Sequence, residues 1–185
     1  MANTPLKSDI TTLITQFETM SGFQRSNRFR ISITPPAKLT IPKNIPIFAQ
    51  TVQTPSQAIL FRQDFMSPSG PPIDVPLRRI YDERFIVEFI IDGRWDIRKF
   101  FDGWMDFLFV NSDSTTKNST NVNYWSNVVG AFVIEALDIN DNIKQTITLY
   151  DAWPKMIIPS QMSTDTPNQY LVLIVDINYR YYKLS

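Results

Sequence analysis

The sequence predicts a mainly β domain, a β-sandwich or barrel with long hairpins, flanked by one main α-helix and preceded by a short N-terminal one. Three observations carry that class. Asn27–Thr34 and Gln169–Tyr182 alternate apolar and polar residues with the period of two of half-buried strands. Glu83–Ile91 (ERFIVEFII) is rich in β-branched and aromatic residues and apolar on both faces toward its end, which marks a central strand. From Trp95 to Leu108 the apolar residues instead recur at helical spacing.

In chain order, Leu6, Ile10, Leu13, Ile14 and Phe17 form a helical stripe behind the candidate caps Ser8 and Asp9, and Ser21-Gly22 end it. The first strand follows at Asn27–Thr34, with Phe29, Ile31 and Ile33 on one face, and Pro35-Pro36 stop it. Prolines cluster from Pro35 to Pro76, so the β-type stretches Ile45–Val52 and Ala58–Phe65 are expected at edges or broken by bulges. Asp64–Pro72 reads as a loop and Ile73–Ile80 as an extended segment. After the central strand, Asp92-Gly93 turn the chain into the main helix, whose core face is assigned to Trp95, Phe100, Phe101, Trp104 and Leu108. Asn111–Asn123 is an aperiodic polar loop. Val128–Ile139 and Ile143–Tyr150 then form a long hairpin about Asn140, Asp141 and Asn142, residues that tolerate positive φ. Trp153-Pro154 is expected to break that hairpin, and one long strand, Gln169–Tyr182, to close the fold. At 185 residues the chain suits one domain. Its parts are 1–22 (helical segment), 27–109 (strands and main helix), 110–125 (polar loop) and 126–185 (hairpin and last strand).

Composition removes whole classes of chemistry. There is no histidine and no cysteine, so the usual acyl-transfer triads, thiol chemistry, disulfides and the common zinc, haem and iron–sulfur ligand sets are excluded. Lys+Arg and Asp+Glu both number 18, and a neutral chain offers polyanions little long-range attraction. No window stays apolar over the roughly 20 residues that span a bilayer, and the start lacks a basic segment followed by an apolar run, so no membrane partner or export signal is expected.

The remaining chemical motifs fall short of a site. Asp138, Asn140 and Asn142 have the first three ligand spacings of a calcium loop, but Ile143 stands where glycine is needed and Leu149 where a bidentate glutamate is needed, leaving a hairpin turn. Five glycines form no phosphate-binding loop. Asp82, Glu83, Glu88, Asp92 and Asp96 are dense enough to raise glycoside hydrolysis but read as strand-end and helix-entry charges. FQRSNRFR and YRYYK mix basic residues with aromatics as single-strand nucleic-acid binders do, but in a chain of zero net charge they read as strand rims covered by long side chains. The expectation is no enzyme, no cofactor and no metal.

Four segments, in their order, resemble the tail tube proteins of contractile-tailed (myovirus-type) bacteriophages: NRFRISI at 27–33, RRIYDERFIVEFIIDGRWDIRKFFDGWMDFL at 78–108, TITLYDAWPKMI at 146–157 and LVLIVDINYRYY at 171–182. The resemblance implies a structural virion subunit, assembled in the host cytoplasm into stacked homohexameric rings. Its implied partners are other copies of itself, the tail sheath, the baseplate and tape measure proteins, and DNA that passes through the lumen without specific binding. On this reading the hairpin Val128–Tyr150 and the extended region Ile45–Ile80 supply inter-subunit sheet. Lys144, Thr146, Thr148 and Tyr150 are the candidate hairpin and lumen positions, and Asn111, Asp113 and Lys117 the candidate inter-ring or sheath contacts. A minor initiator or terminator ring of the same tail is the alternative. A β-sandwich carbohydrate-binding module, with Trp95, Trp104, Trp125 and Trp153 as stacking platforms, is the alternative of another class.

Overall fold

The computed structural model describes residues 24–43, 45–64, 70–81, 84–109, 122–158 and 170–185, together with Thr12, Ile14, Thr15, Ser160 and Met162. The N-terminal stripe, apart from Ile14, and Asn111, Asp113 and Lys117 lie outside the described residues.

The elements run β1 (Phe29–Thr34), α1 (Ile45–Phe48), β2 (Ala49–Val52), β3 (Gln57–Asp64), β4 (Ile73–Tyr81), β5 (Phe85–Ile90), α2 (Asp96–Phe107), α3 (Trp125–Val128), β6 (Gly130–Leu137), β7 (Ile143–Ile158), β8 (Val172–Asn178) and β9 (Tyr181–Leu184). The fold is mainly β, as the alternation requires. A seven-stranded sheet has the order β1-β6-β7-β8-β5-β2 with β9 added beside β7, and β3 and β4 form a two-stranded sheet of their own.

The 16-residue β7 folds that sheet into two leaves. Its first half pairs with β6 and β9, and its second half with β8. The first leaf is therefore β1-β6-β7-β9 and the second β7-β8-β5-β2. Phe85 of the second leaf meets Phe132 of the first at 6.2 Å between ring centroids, so the leaves face each other across one core. The barrel stays open, because β1 and β2, the two ends of the strand order, are not paired.

Helix α2 packs against both leaves. Phe101 lies 5.4 Å from Phe89 of the second leaf, and Trp104 is stacked on Phe132 of the first at 6.0 Å. Ile97, Phe100, Phe101, Trp104 and Leu108 are buried. Trp95 is not among them: it precedes the helix with φ of 62° and is 40% exposed. Helical spacing extrapolated one residue too far, since a left-handed residue turns its side chain off the helix face.

Four other boundaries differ from expectation. Ile45–Phe48 is a helical turn rather than strand, and a second one, Trp125–Val128, precedes β6. Pro154 does not break β7; it sits within the strand opposite Ile177, next to a register shift, where its missing N–H is tolerated. The last strand is not continuous. It divides at Tyr179-Arg180 into β8 in the second leaf and β9 in the first.

Candidate assembly surfaces

Among the described residues the first leaf has two unpaired edges. β6 and the first half of β7 are each paired on both sides within the chain, so the hairpin expected to offer inter-subunit edge has none over its paired length. The outer strands are β1 and β9 instead. On the inner side of β9, Thr146 and Ser185 exchange both backbone hydrogen bonds at 2.9 Å. In an antiparallel ladder these bonds alternate, so the amides of Tyr182 and Leu184 point away from β7. Leu137 N donates to Arg28 O at 3.0 Å, which by the same alternation turns the amides of Ile31 and Ile33 outward from β1.

Lys144, Thr146, Thr148 and Tyr150 share the outer face of this leaf, opposite the inward Ile147 and Leu149. Lys144 is exposed and the other three are half-buried. Tyr150 stacks on Tyr181 at 4.8 Å, and the Lys183 ammonium sits 5.6 Å from the Tyr150 ring. Arg30 of β1 reaches Glu135 of β6 at 3.6 Å across the same face.

The turn joining β6 to β7 is held by Asp138, whose Oδ1 accepts from the amides of Asn140 (2.7 Å) and Asn142 (2.9 Å), with Asp141 at φ of 62°. The Asn142 N–H chiefly holds the Asp138 carboxyl below the usual carboxylate range, against a smaller opposing effect of burial. The Asn142 side chain, the Asn140 N–H and Lys144 act in the same direction as the Asn142 N–H.

The β3–β4 hairpin is the second surface. Strand alternation puts Ile59 and Phe61 on one face, 62% and 52% exposed, while Leu60, Ile80 and Ile73 are exposed on the other. A two-stranded ribbon is marginal in water, and exposed contiguous apolar groups mark an interaction surface. Asp74 shares the Phe61 face and, among the described residues, has no ion-pair partner.

A third feature is a cleft of about 360 Å³ where the barrel fails to close, between β1 and β2. Phe29, Val52, Ile134, Ala136 and Ile147 give it an apolar lining, with Gln24, Arg25 and Thr51 at its rim.

Of the carboxylates raised for hydrolysis, two serve the entry to α2. Asp92 Oδ1 accepts from the Ile97 amide at 3.4 Å at the start of α2, and Asp96 lies 3.9 Å from Lys99. Asp82 and Glu83 lie outside the described residues. Among the described residues no three His, Cys, Asp or Glu side chains are grouped to hold a metal. Trp104 spends its indole N–H on Val128 O at 2.9 Å in the core and so cannot be a stacking platform.

Residues 24–185 match the profile of the family described as phage tail tube protein. The chain belongs to the phage tail tube protein family. It is 24% identical over 165 residues to the tail tube protein of Serratia phage KSP90, covering 85% of this chain and 86% of that one. In structure, the tail tube chain is similar to a chain of the anti-feeding prophage baseplate, with a TM-score of 0.64 and 17% identity over 90% of this chain and 97% of that one. It is also similar to a chain of the PVC sheath–tube complex of an extracellular contractile injection system, with a TM-score of 0.59 and 12% identity over 92% and 96%. These likenesses establish a tail-tube fold, and the family is one of structural virion components rather than an enzyme class.

The sequence reading missed the edge residues Ile31, Ile33, Tyr182 and Leu184. Alternation tells which face a side chain takes but not which strands end a sheet. The hairpin left a signal, QAILF, apolar on both parities.

Proposed function

We propose that copies of this chain join into closed rings, six to a ring, which stack into a tail tube whose channel conducts the genome and on which a sheath assembles. The observation that carries the reading is the pair of edges, on one antiparallel four-stranded leaf, that are unpaired among the described residues. With an even number of strands, β9 of one copy runs antiparallel to β1 of the next, so identical leaves repeat without changing the ladder type. The outward amides on both edges belong to residues of the inward face, Ile31 and Ile33 on one and Tyr182 and Leu184 on the other, so face and pairing agree across the joint. Such a head-to-tail contact either closes or propagates, and closure removes every free edge of that leaf. Six copies are taken from the sixfold symmetry of the anti-feeding prophage baseplate, a chain of which this one resembles.

In the ring the polar outer face, with Lys144, Thr146, Thr148 and Tyr150, lines the channel, and DNA passes without being gripped. The loop carrying Asn111, Asp113 and Lys117 is the proposed contact to the next ring or the sheath, and baseplate and tape measure proteins meet the ends and the lumen. The likeness to a baseplate chain favours a second reading, a minor ring at the baseplate end. Counting copies per virion by quantitative mass spectrometry separates the two.

Light scattering of the purified chain tests the proposal. Discrete ring-sized species that grow with concentration support it, and a monomer at every concentration contradicts it.

A further inference from the structure

Three arginines meet beside the corner where the chain changes leaf. A pocket of about 380 Å³ is lined there by Arg78, Arg79 and Tyr81 of β4, Trp125 of α3, and Asn178 and Arg180 of the β8–β9 corner, and among the described residues no carboxylate lines it. We propose that this pocket binds an acidic peptide segment of a different protein, whose carboxylate pairs with Arg79 and whose apolar side chain lies on the Trp125 ring. The inference goes beyond ring formation and concerns the single subunit.

Unspent charge beside an exposed aromatic ring carries it. Arg180 is held by Asp151 at 3.3 Å, whereas among the described residues Arg78 and Arg79 have no ion pair or hydrogen bond, and both are exposed. Tyr81 meets Tyr182 edge-on at 5.5 Å against the core, so its face of β4 is turned to the subunit body. Arg79, two residues earlier, shares that face and is the central cation, and Arg78 flanks it from the other. A guanidinium offers a carboxylate two parallel N–H donors, which fixes direction as well as charge. Trp125 is 51% exposed and held edge-on against Trp153 at 6.4 Å, presenting apolar surface beside the arginines. The Trp153 indole N–H is buried without an acceptor and adds a further unmet donor to this corner. The volume is that of a ligand pocket. A second copy is a poor source of the anion, since its exposed Asp64, Asp96, Asp102 and Asp141 already hold Arg62, Lys99, Arg98 and Arg28 of their own subunit. A nucleic acid strand is a poorer fit than a short peptide, because a chain of zero net charge gives a polyanion no supporting field.

The probe is the peptide acetyl-Glu-Leu-Glu-Glu-amide, titrated into the full chain and followed by tryptophan fluorescence. Wild-type protein should respond saturably, and added salt should weaken the response. Binding should fall about tenfold or more in Arg79→Glu and by less in Arg78→Glu, with circular dichroism unchanged because both positions are exposed. No saturable response, or equal binding of the glutamine counterpart acetyl-Gln-Leu-Gln-Gln-amide, overturns the inference. So does tighter, Arg79-dependent binding of a short oligothymidylate, which would make the pocket a nucleic-acid site. Loss of rings in Arg79→Glu, where the wild type forms them, would assign the arginine to the joint between copies and also overturn it. Wild-type rings that bind no peptide leave the tube reading standing, and a peptide-binding chain that stays a monomer overturns the tube reading alone.

Discussion

Arg180 Nη1 lies 3.3 Å from Asp151 Oδ2, and the Arg180 amide donates to Tyr150 O at 3.1 Å, tying together the two points at which the chain passes from one leaf to the other. β7 changes leaf at Asp151, whose φ is 53°, and the β8–β9 segment changes leaf at Arg180. The corner is thus made by a left-handed residue and the arginine that grips it. An aspartate suits this place because its short side chain tolerates the left-handed region and is available to the guanidinium.

Asp151→Ala should destabilise the subunit by about 1–2 kcal/mol, since alanine keeps a Cβ in the left-handed region and loses the ion pair. Asp151→Gly should cost less, about 1 kcal/mol or below, because glycine relieves the backbone. Urea denaturation of the two variants side by side checks the order; equal costs would mean that the φ value is not what the corner needs.

A Cβ on Gly130 would meet the carbonyl oxygen of Thr34 and come within 2.8 Å of the Trp104 ring. Gly130→Ala should therefore lower stability by about 1–3 kcal/mol, the usual cost of overpacking. Trp104→Ala should lower it by about 3–5 kcal/mol, through the cavity between α2 and Phe132. Thermal melts of both, with near-ultraviolet circular dichroism as the readout of packing, test this. A Gly130→Ala variant as stable as the parent would contradict the close approach.

The hairpin turn should weaken in acid. The folded Asp138 carboxyl titrates below its ordinary value of 3.8, so its contribution is fully present above that value and is lost as pH falls through the lower folded pKa. Asp138→Ala should be less stable than the parent near neutrality, with the gap narrowing as the pH falls below 3.8. A gap constant with pH would rule out the carboxylate as its source.

Leu184→Pro should leave the fold intact and block ring formation. Its amide points out from β9, so removing it spares the bonds to β7, and proline is tolerated on edges. Unchanged circular dichroism with loss of ring-sized species by light scattering is the expected pair of results. Normal rings would show that this edge is not used.

Much of the fold is legible in the residues, and the exceptions share a cause. β1, β5 and the buried face of α2 follow from periodicity, because each keeps one environment along its length. The last strand does not. Leu173, Val175, Ile177 and Tyr179 alternate inward, and Tyr181 continues the pattern by type, yet beyond Arg180 it is Tyr182 that packs against the core while Tyr181 stacks outside on Tyr150. A change of leaf resets the alternation without changing residue type. Pro154 misleads in the opposite sense, announcing a break that occurs three residues earlier at Asp151. Of the assembly surfaces, the hairpin's two apolar faces can be read from QAILF. The edges of β1 and β9 depend on strand order, which no local pattern encodes.

Negative-stain electron microscopy of the concentrated, purified protein addresses the central claim most directly. Rings of uniform diameter with an open centre, stacking into tubes, are the predicted images. Fields of single particles with no central channel at any concentration would contradict it.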